Sequence, residues 1–246
     1  MTYQIKEMSW VEFDQRRRET DMVIIPTGAV EIYGPHLPMG SDGFAAMGVS
    51  ELIAKETGAL IAPMLDVAES SALLAYPGTI TVTEEFYIMY IDQLMKNLVG
   101  YGFKKFLFIS GHAANVSPIA YVARKYQLEN QIEWAQVDWW RFTAIHGDDI
   151  FEAKGRMAHG HASECGTSVL LYFRPDLVNM EMATCVSPSA EYYDYPDILR
   201  FTPMELKTPN ATVGDATLGS VEKGEKIVKK CVSRIVQFVN EKWYAK

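Results

Sequence analysis

A chain of 246 residues, 48% hydrophobic and 22% charged, carries enough apolar material for a full core and has the composition of an ordinary globular protein. Its net charge of -8 disfavours nucleic acid, which is met by clustered Lys and Arg, and favours a small-molecule ligand. No stretch nears the roughly 20 apolar residues of a membrane span, and the start, Met-Thr-Tyr-Gln-Ile-Lys-Glu, has neither the basic nor the apolar part of a secretory signal, so a cytoplasmic location is expected.

In chain order, short apolar runs alternate with helical patterns. Met22 to Ile25, Ala59 to Ala62, Phe106 to Ile109 and Ile132 to Val137 suit strands covered on both faces. Gly43 to Glu56 and Glu84 to Val99 read as helices, the second capped by Thr83 with Glu84 and Glu85 in its first turn. An apolar helical run follows from Val169 to Phe173. The span 183 to 217, with Pro188, Pro196, Pro203 and Pro209, reads as a long excursion that covers a site or meets a neighbouring subunit. The last helix, Ser220 to Trp243, spaces Val221, Ile227, Val228, Val232, Ile235, Val236 and Val239 along one face, which is expected to pack on the sheet. Strand–helix alternation predicts an α/β fold with a largely parallel sheet flanked by helices, and the absence of repeats or linkers predicts a single domain over 1–246. Cys165, Cys185 and Cys231 make no CxxC pair and no even set, and are expected as free thiols.

Chemistry concentrates in three segments. The first strand runs into a Gly- and Pro-rich loop carrying Glu31, His36 and Asp42, at the strand end where open α/β sheets place ligands. Two carboxylates and an imidazole suit zinc, manganese or iron; the plain alternative is an acidic surface loop in which Asp42 only caps a helix. A second strand leads into Ser110-Gly111-His112-Ala113-Ala114-Asn115, where His112 is topologically equivalent to the first loop and Asn115 is a candidate helix cap. In the third, His159-Gly160-His161-Ala162-Ser163-Glu164, a helix begun by His161 would put His161 and Glu164 on one face, one as ligand and the other as proton carrier. Trp139, Trp140 and Tyr76 are candidates for an apolar wall, or for plain core packing. Neither a Gly-x-Gly-x-x-Gly fingerprint, a Walker loop nor a Gly-x-Ser-x-Gly elbow occurs, which argues against a nucleotide cofactor and a serine nucleophile.

Together these segments resemble the signature regions of the creatininase (creatinine amidohydrolase) family. The Glu31 to Asp42 block is similar to its Glu-x-His-Gly-Pro-His-Leu-Pro-x-x-Thr/Ser-Asp stretch, and Gly111 to Asn115 to its Gly-His-Gly-Gly-Asn turn. His161 to Ser168 is similar to His-Ala-Gly-Glu-x-Glu-Thr-Ser, Pro77 to Ile80 to Pro-Gly-Thr-Ile, and Val213 to Asp215 with Glu222 to Gly224 to a later feature. The resemblance implies a homohexameric amidohydrolase with one or two divalent ions, Zn or Mn with Fe as a further option, opening a cyclic amide or cleaving a related C–N bond. It places Glu31, Asp42, His112 and Glu164 on ligand positions, Asp42 on the bridging one, and His161 on the proton-transfer position. Tyr33 stands where the family has a histidine ligand, and Gly166 and Ala113-Ala114 also depart from the pattern. Three options follow: His36 compensates as ligand, Tyr33 binds as phenolate, or one ion is held; Tyr33 is also a candidate to polarise a substrate carbonyl. Two rival functions are C–C ring opening of a cyclic ketone such as a keto-inositol, and a non-catalytic scaffold with a degenerate centre.

Overall fold

The computed structural model describes residues 2–245 apart from 188, 190, 192–197, 199 and 200, so Pro188 and Pro196 of the expected excursion lie outside the described residues. Four parallel strands, β1 (Met22–Thr27), β2 (Leu60–Ile61), β3 (Lys105–Ser110) and β4 (Glu133–Asp138), form a sheet in the order β2-β1-β3-β4. Ile24 lies opposite Leu107 and Thr27 opposite Ser110, so β1 and β3 end level with each other. The run expected at Ala59 to Ala62 is the short edge strand β2.

Every residue of β1 is buried because both faces of the sheet are covered. Met22 and Ile24 point into one apolar layer with Leu107, Ile109 and Val137; Val23 and Ile25 point into the other with Phe106 and Phe108. The first layer is closed by α2 (Ser41–Thr57), α7 (Glu164–Phe173) and α9 (Val221–Val239), and the second by α3 (Glu84–Gly100) and α4 (Val116–Asn130). The remaining elements are α5 (Trp139–His146) and α6 (Arg156–His159), which add Trp139 and Ala158 to the first layer, α1 (Trp10–Arg16), α8 (Met204–Lys207) and a small antiparallel pair, β5 (Cys185–Val186) with β6 (Gly214–Asp215). The described parts of the 183–217 span, Pro203 and Pro209 among them, include α8, β5 and β6.

Local chemistry sets most boundaries. The Thr83 hydroxyl accepts from the Phe86 amide and starts α3, and Ser220 does the same for Lys223 in α9. The buried stripe Ile227, Val228, Cys231, Val232, Ile235 and Val239 seats α9 in the same layer as Leu107 and Val137, packed against α7, α2 and α5, and the chain continues through a π-turn at Asn240–Tyr244. The α2 helix begins two residues before the expected Gly43, so Asp42 falls in its first turn and makes no cap. Asn115 likewise makes no cap bond; its amide donates to the Gly28 carbonyl at 3.0 Å, tying the loop after β3 to the loop after β1. Cys165, Cys185 and Cys231 are free thiols. None of the helices formed by the described residues is long and apolar enough to cross a membrane.

Candidate metal centre

Two close backbone approaches draw the loops after β1 and β3 together. A Cβ on Gly28 would lie 2.5 Å from the Cα of Gly43, and one on Gly111 would lie 2.2 Å from the carbonyl oxygen of Asp42. Only glycine permits either contact. The first presses the β1 loop against the start of α2, and the second brings the residue after Gly111, which is His112, beside Asp42.

Among the described residues, Glu31, Asp42 and His112 form a group of potential ligands whose donor atoms all lie within 4.8 Å of one another. His112 Nδ1 stands 3.4 Å from Glu31 Oε2 and 3.2 Å from Asp42 Oδ2. An ion bound tetrahedrally at roughly 2.0–2.2 Å sets its donors roughly 3.4 Å apart, so the spacing suits one. The donor set, two hard oxygens and one imidazole nitrogen, fits zinc or manganese.

Each donor is aimed by a neighbour. His112 Nε2 lies 2.7 Å from the Glu69 carbonyl, which accepts its N–H and turns Nδ1 toward the carboxylates. Ser70 Oγ donates to Glu31 Oε2 at 2.6 Å, and Trp140 Nε1 donates to Asp42 Oδ1 at 2.9 Å. Nothing in the local sequence marks Glu69 or Ser70 as supports; Trp140 was a candidate wall residue and proves to be a hydrogen-bond donor as well.

The three groups share their protons. Burial acts to raise the Glu31 carboxyl, but the adjacent His112 outweighs it and the group stays below its ordinary range. Burial raises Asp42, with Glu31 adding to the effect. Burial acts to lower His112, yet the two carboxylates overcome it and hold the imidazole well above its usual range. Without an ion the ring is therefore the cation between two anions, the position a divalent metal would take over.

Two expected ligands are not part of this group. Glu164 is fully buried, but its oxygens accept from the Glu152 amide at 3.0 Å, the Ala153 amide at 2.9 Å and Lys223 Nζ at 2.6 Å. Those three donors tie it to the 152–153 turn and α9, and it lies outside the triad. His36 is buried with Nε2 2.8 Å from Thr167 Oγ1, and burial lowers its pKa to about 4, so it is a neutral packed side chain outside the triad.

His161 and Glu164 do not share a helical face either. Ala162 has φ of 53°, a left-handed turn that leaves His161 before the helix, which begins only at Glu164. That turn sends His161 to the β1 loop, where Nε2 lies 2.9 Å from the Ile32 carbonyl and the ring packs 4.4 Å from Tyr33. Tyr33 is buried, packs 6.0 Å from Trp140, and has its phenol held well above its usual range by burial and by Asp42 and Glu31. Burial and the two carboxylates thus favour the neutral O–H over a phenolate. Trp139 is fully buried core, and Tyr76 donates to the Thr208 carbonyl at 2.5 Å, fastening α8's end to the 76 loop.

Known proteins share this architecture. A family profile named Creatininase, described as creatinine amidohydrolase, matches residues 6–239. The chain is 27% identical to 3-dehydro-scyllo-inosose hydrolase of Thermotoga maritima, over 95% of this chain and 81% of that protein. It is 26% identical to creatinine amidohydrolase of Pseudomonas putida, over 97% and 96%. It is also 25% identical to the mycofactocin precursor peptide peptidase of Mycobacterium ulcerans, over 88% and 85%. A crystal structure of creatinine amidohydrolase superposes with a TM-score of 0.88 at 22% identity, covering 100% of this chain and 99% of that one, and a manganese form of creatininase with 0.87, covering both chains fully.

Proposed function

The chain belongs to the creatininase family, and on that premise we propose that it is a metal-dependent hydrolase that opens a small cyclic amide or cleaves a related C–N bond. The observation that carries this reading is the convergence of Glu31, Asp42 and His112 on one buried point. A divalent ion held by these residues supplies Lewis acidity and lowers the pKa of water at the centre.

The remaining work falls to the chain's own side chains. Glu69 and Ser70 keep His112 and Glu31 in ligating orientation. Ile32 accepts a hydrogen bond from His161 Nε2–H, which fixes the tautomer and leaves Nδ1 able to take a proton and return it to the leaving group. Trp140 and Tyr33 give that ring an apolar wall.

Two substitutions separate these roles: Glu31→Ala is expected to lose metal and activity together, and His161→Ala to lose activity while keeping metal. Full activity in metal-stripped protein refutes the proposal. The inosose hydrolase relative motivates a second reading, C–C ring opening of a cyclic ketone. A panel of lactams, hydantoin-like rings and keto-cyclitols decides between them. The same proposal includes a homohexamer in the cytoplasm. The exposed Phe86, Met89 and Tyr90 on α3 support self-association, and light scattering of the purified protein measures it.

A further inference from the structure

Asp42 offers its two oxygens unequally. Oδ2 faces His112 Nδ1 at 3.2 Å, while Oδ1 already accepts the Trp140 indole N–H at 2.9 Å. On that Trp140 side sits Tyr33, 4% exposed, its ring against Trp140 and His161.

The ring fits because Gly166 has no side chain: a Cβ there would lie 3.3 Å from Tyr33 Cε1, tighter than ordinary contact. Around the ring, the one nitrogen left without a hydrogen bond among the described residues is His161 Nδ1, which is the proton carrier of the proposed reaction. Trp140 presents only an N–H, Gly166 presents nothing, His161 Nε2 is engaged by Ile32, and the Cys165 thiol is hydrogen-bonded to Thr143 Oγ1 at 3.4 Å. Tyr33 and Gly166 thus act as a complementary pair, a large side chain seated where its neighbour supplies none.

We infer that the centre holds one divalent ion per chain, with the Tyr33 phenol filling the position beyond Asp42 that a second ion would need. This rests on the metal-centre reading above and goes further by fixing the number of ions. Asp42 then serves as a ligand through Oδ2 alone and does not bridge.

The test is metal analysis of the full-length protein after equilibrium dialysis against excess Mn²⁺, combined with electron paramagnetic resonance. One ion per chain with the spectrum of an isolated Mn²⁺ is expected, and Y33F, which keeps the ring, is expected to match it. Y33H shrinks the ring and adds a donor, and is expected to raise the stoichiometry toward two with an exchange-coupled spectrum. Two ions per chain in the unsubstituted protein would overturn the one-ion inference and leave the hydrolase reading standing. A folded Y33H that still binds one ion would overturn the occluding role of Tyr33. No bound ion at all would overturn both the inference and the reading beneath it.

Discussion

Replacing Lys223 with Met tests whether Glu164 is an anchor or a ligand. Lys223 Nζ lies 2.6 Å from Glu164 Oε1, from Glu152 Oε1 and from the Leu218 carbonyl, so its removal leaves a fully buried carboxylate without its cation. Breaking a buried pair by deleting one partner costs about 3–5 kcal/mol. Here the Glu152 and Ala153 amides still donate to the carboxylate, and Glu152 is an exposed partner, so about 2–4 kcal/mol is expected. Glu164→Gln keeps the shape and removes the charge, and the double variant is expected to be more stable than the sum of the single losses implies, because each change removes the other's burden. Urea unfolding measures the losses, and metal analysis on the same samples is expected to show unchanged ion content. An E164Q protein of near-normal stability that has lost its ion would refute the reasoning and return Glu164 to the metal.

Three further outcomes follow from the geometry. His36, neutral with a pKa of about 4 against 6.5 in an unfolded chain, binds its proton more readily when unfolded. Its contribution is therefore present above about pH 6.5 and lost as pH falls toward 4, on the order of 2–3 kcal/mol; His36→Gln is expected to flatten that part of the urea-midpoint profile, and an unchanged slope would show that another group is responsible. Trp140→Phe removes the donor to Asp42 Oδ1 and is expected to weaken metal binding by about 10–100-fold with the fold intact, as measured by competition with a chelator. Because the carboxylates keep His112 protonated in the ion-free protein, binding displaces that proton, and the apparent affinity is expected to rise about tenfold per pH unit through neutrality. Calorimetry in buffers of different ionisation enthalpy detects the released proton.

The sheet and the location of the centre were legible because their signals are local. Continuous apolar runs such as Phe106 to Ile109 cannot sit half-exposed, and the glycines after β1 and β3 mark loops that must come close to something. Three of the five expected ligands, Glu31, Asp42 and His112, come together in the fold, and His36 and Glu164 do not join them. Glu164 lies outside that group, and the helical face it was expected to share with His161 requires helix to have begun by His161, which the Ala162 turn prevents. Its ion-pair partner, Lys223, lies 59 residues further along and carries no signal that singles it out among the lysines. Ser70 and the Glu69 carbonyl escaped for the same reason: one is a common hydroxyl and the other a backbone group, and only tertiary structure aims them.

The parallel register of β1 and β3 has a consequence for assembly. Glu31 and Asp42 follow one strand and His112 the other, with Thr27 facing Ser110 at the strand ends. Sliding the pair by a single residue would carry the imidazole about 3.3 Å along the strand axis, a distance comparable to the whole donor spacing. A metal added during refolding is therefore expected to favour chains whose strands are correctly aligned, which the yield of native protein refolded with and without Mn²⁺ measures.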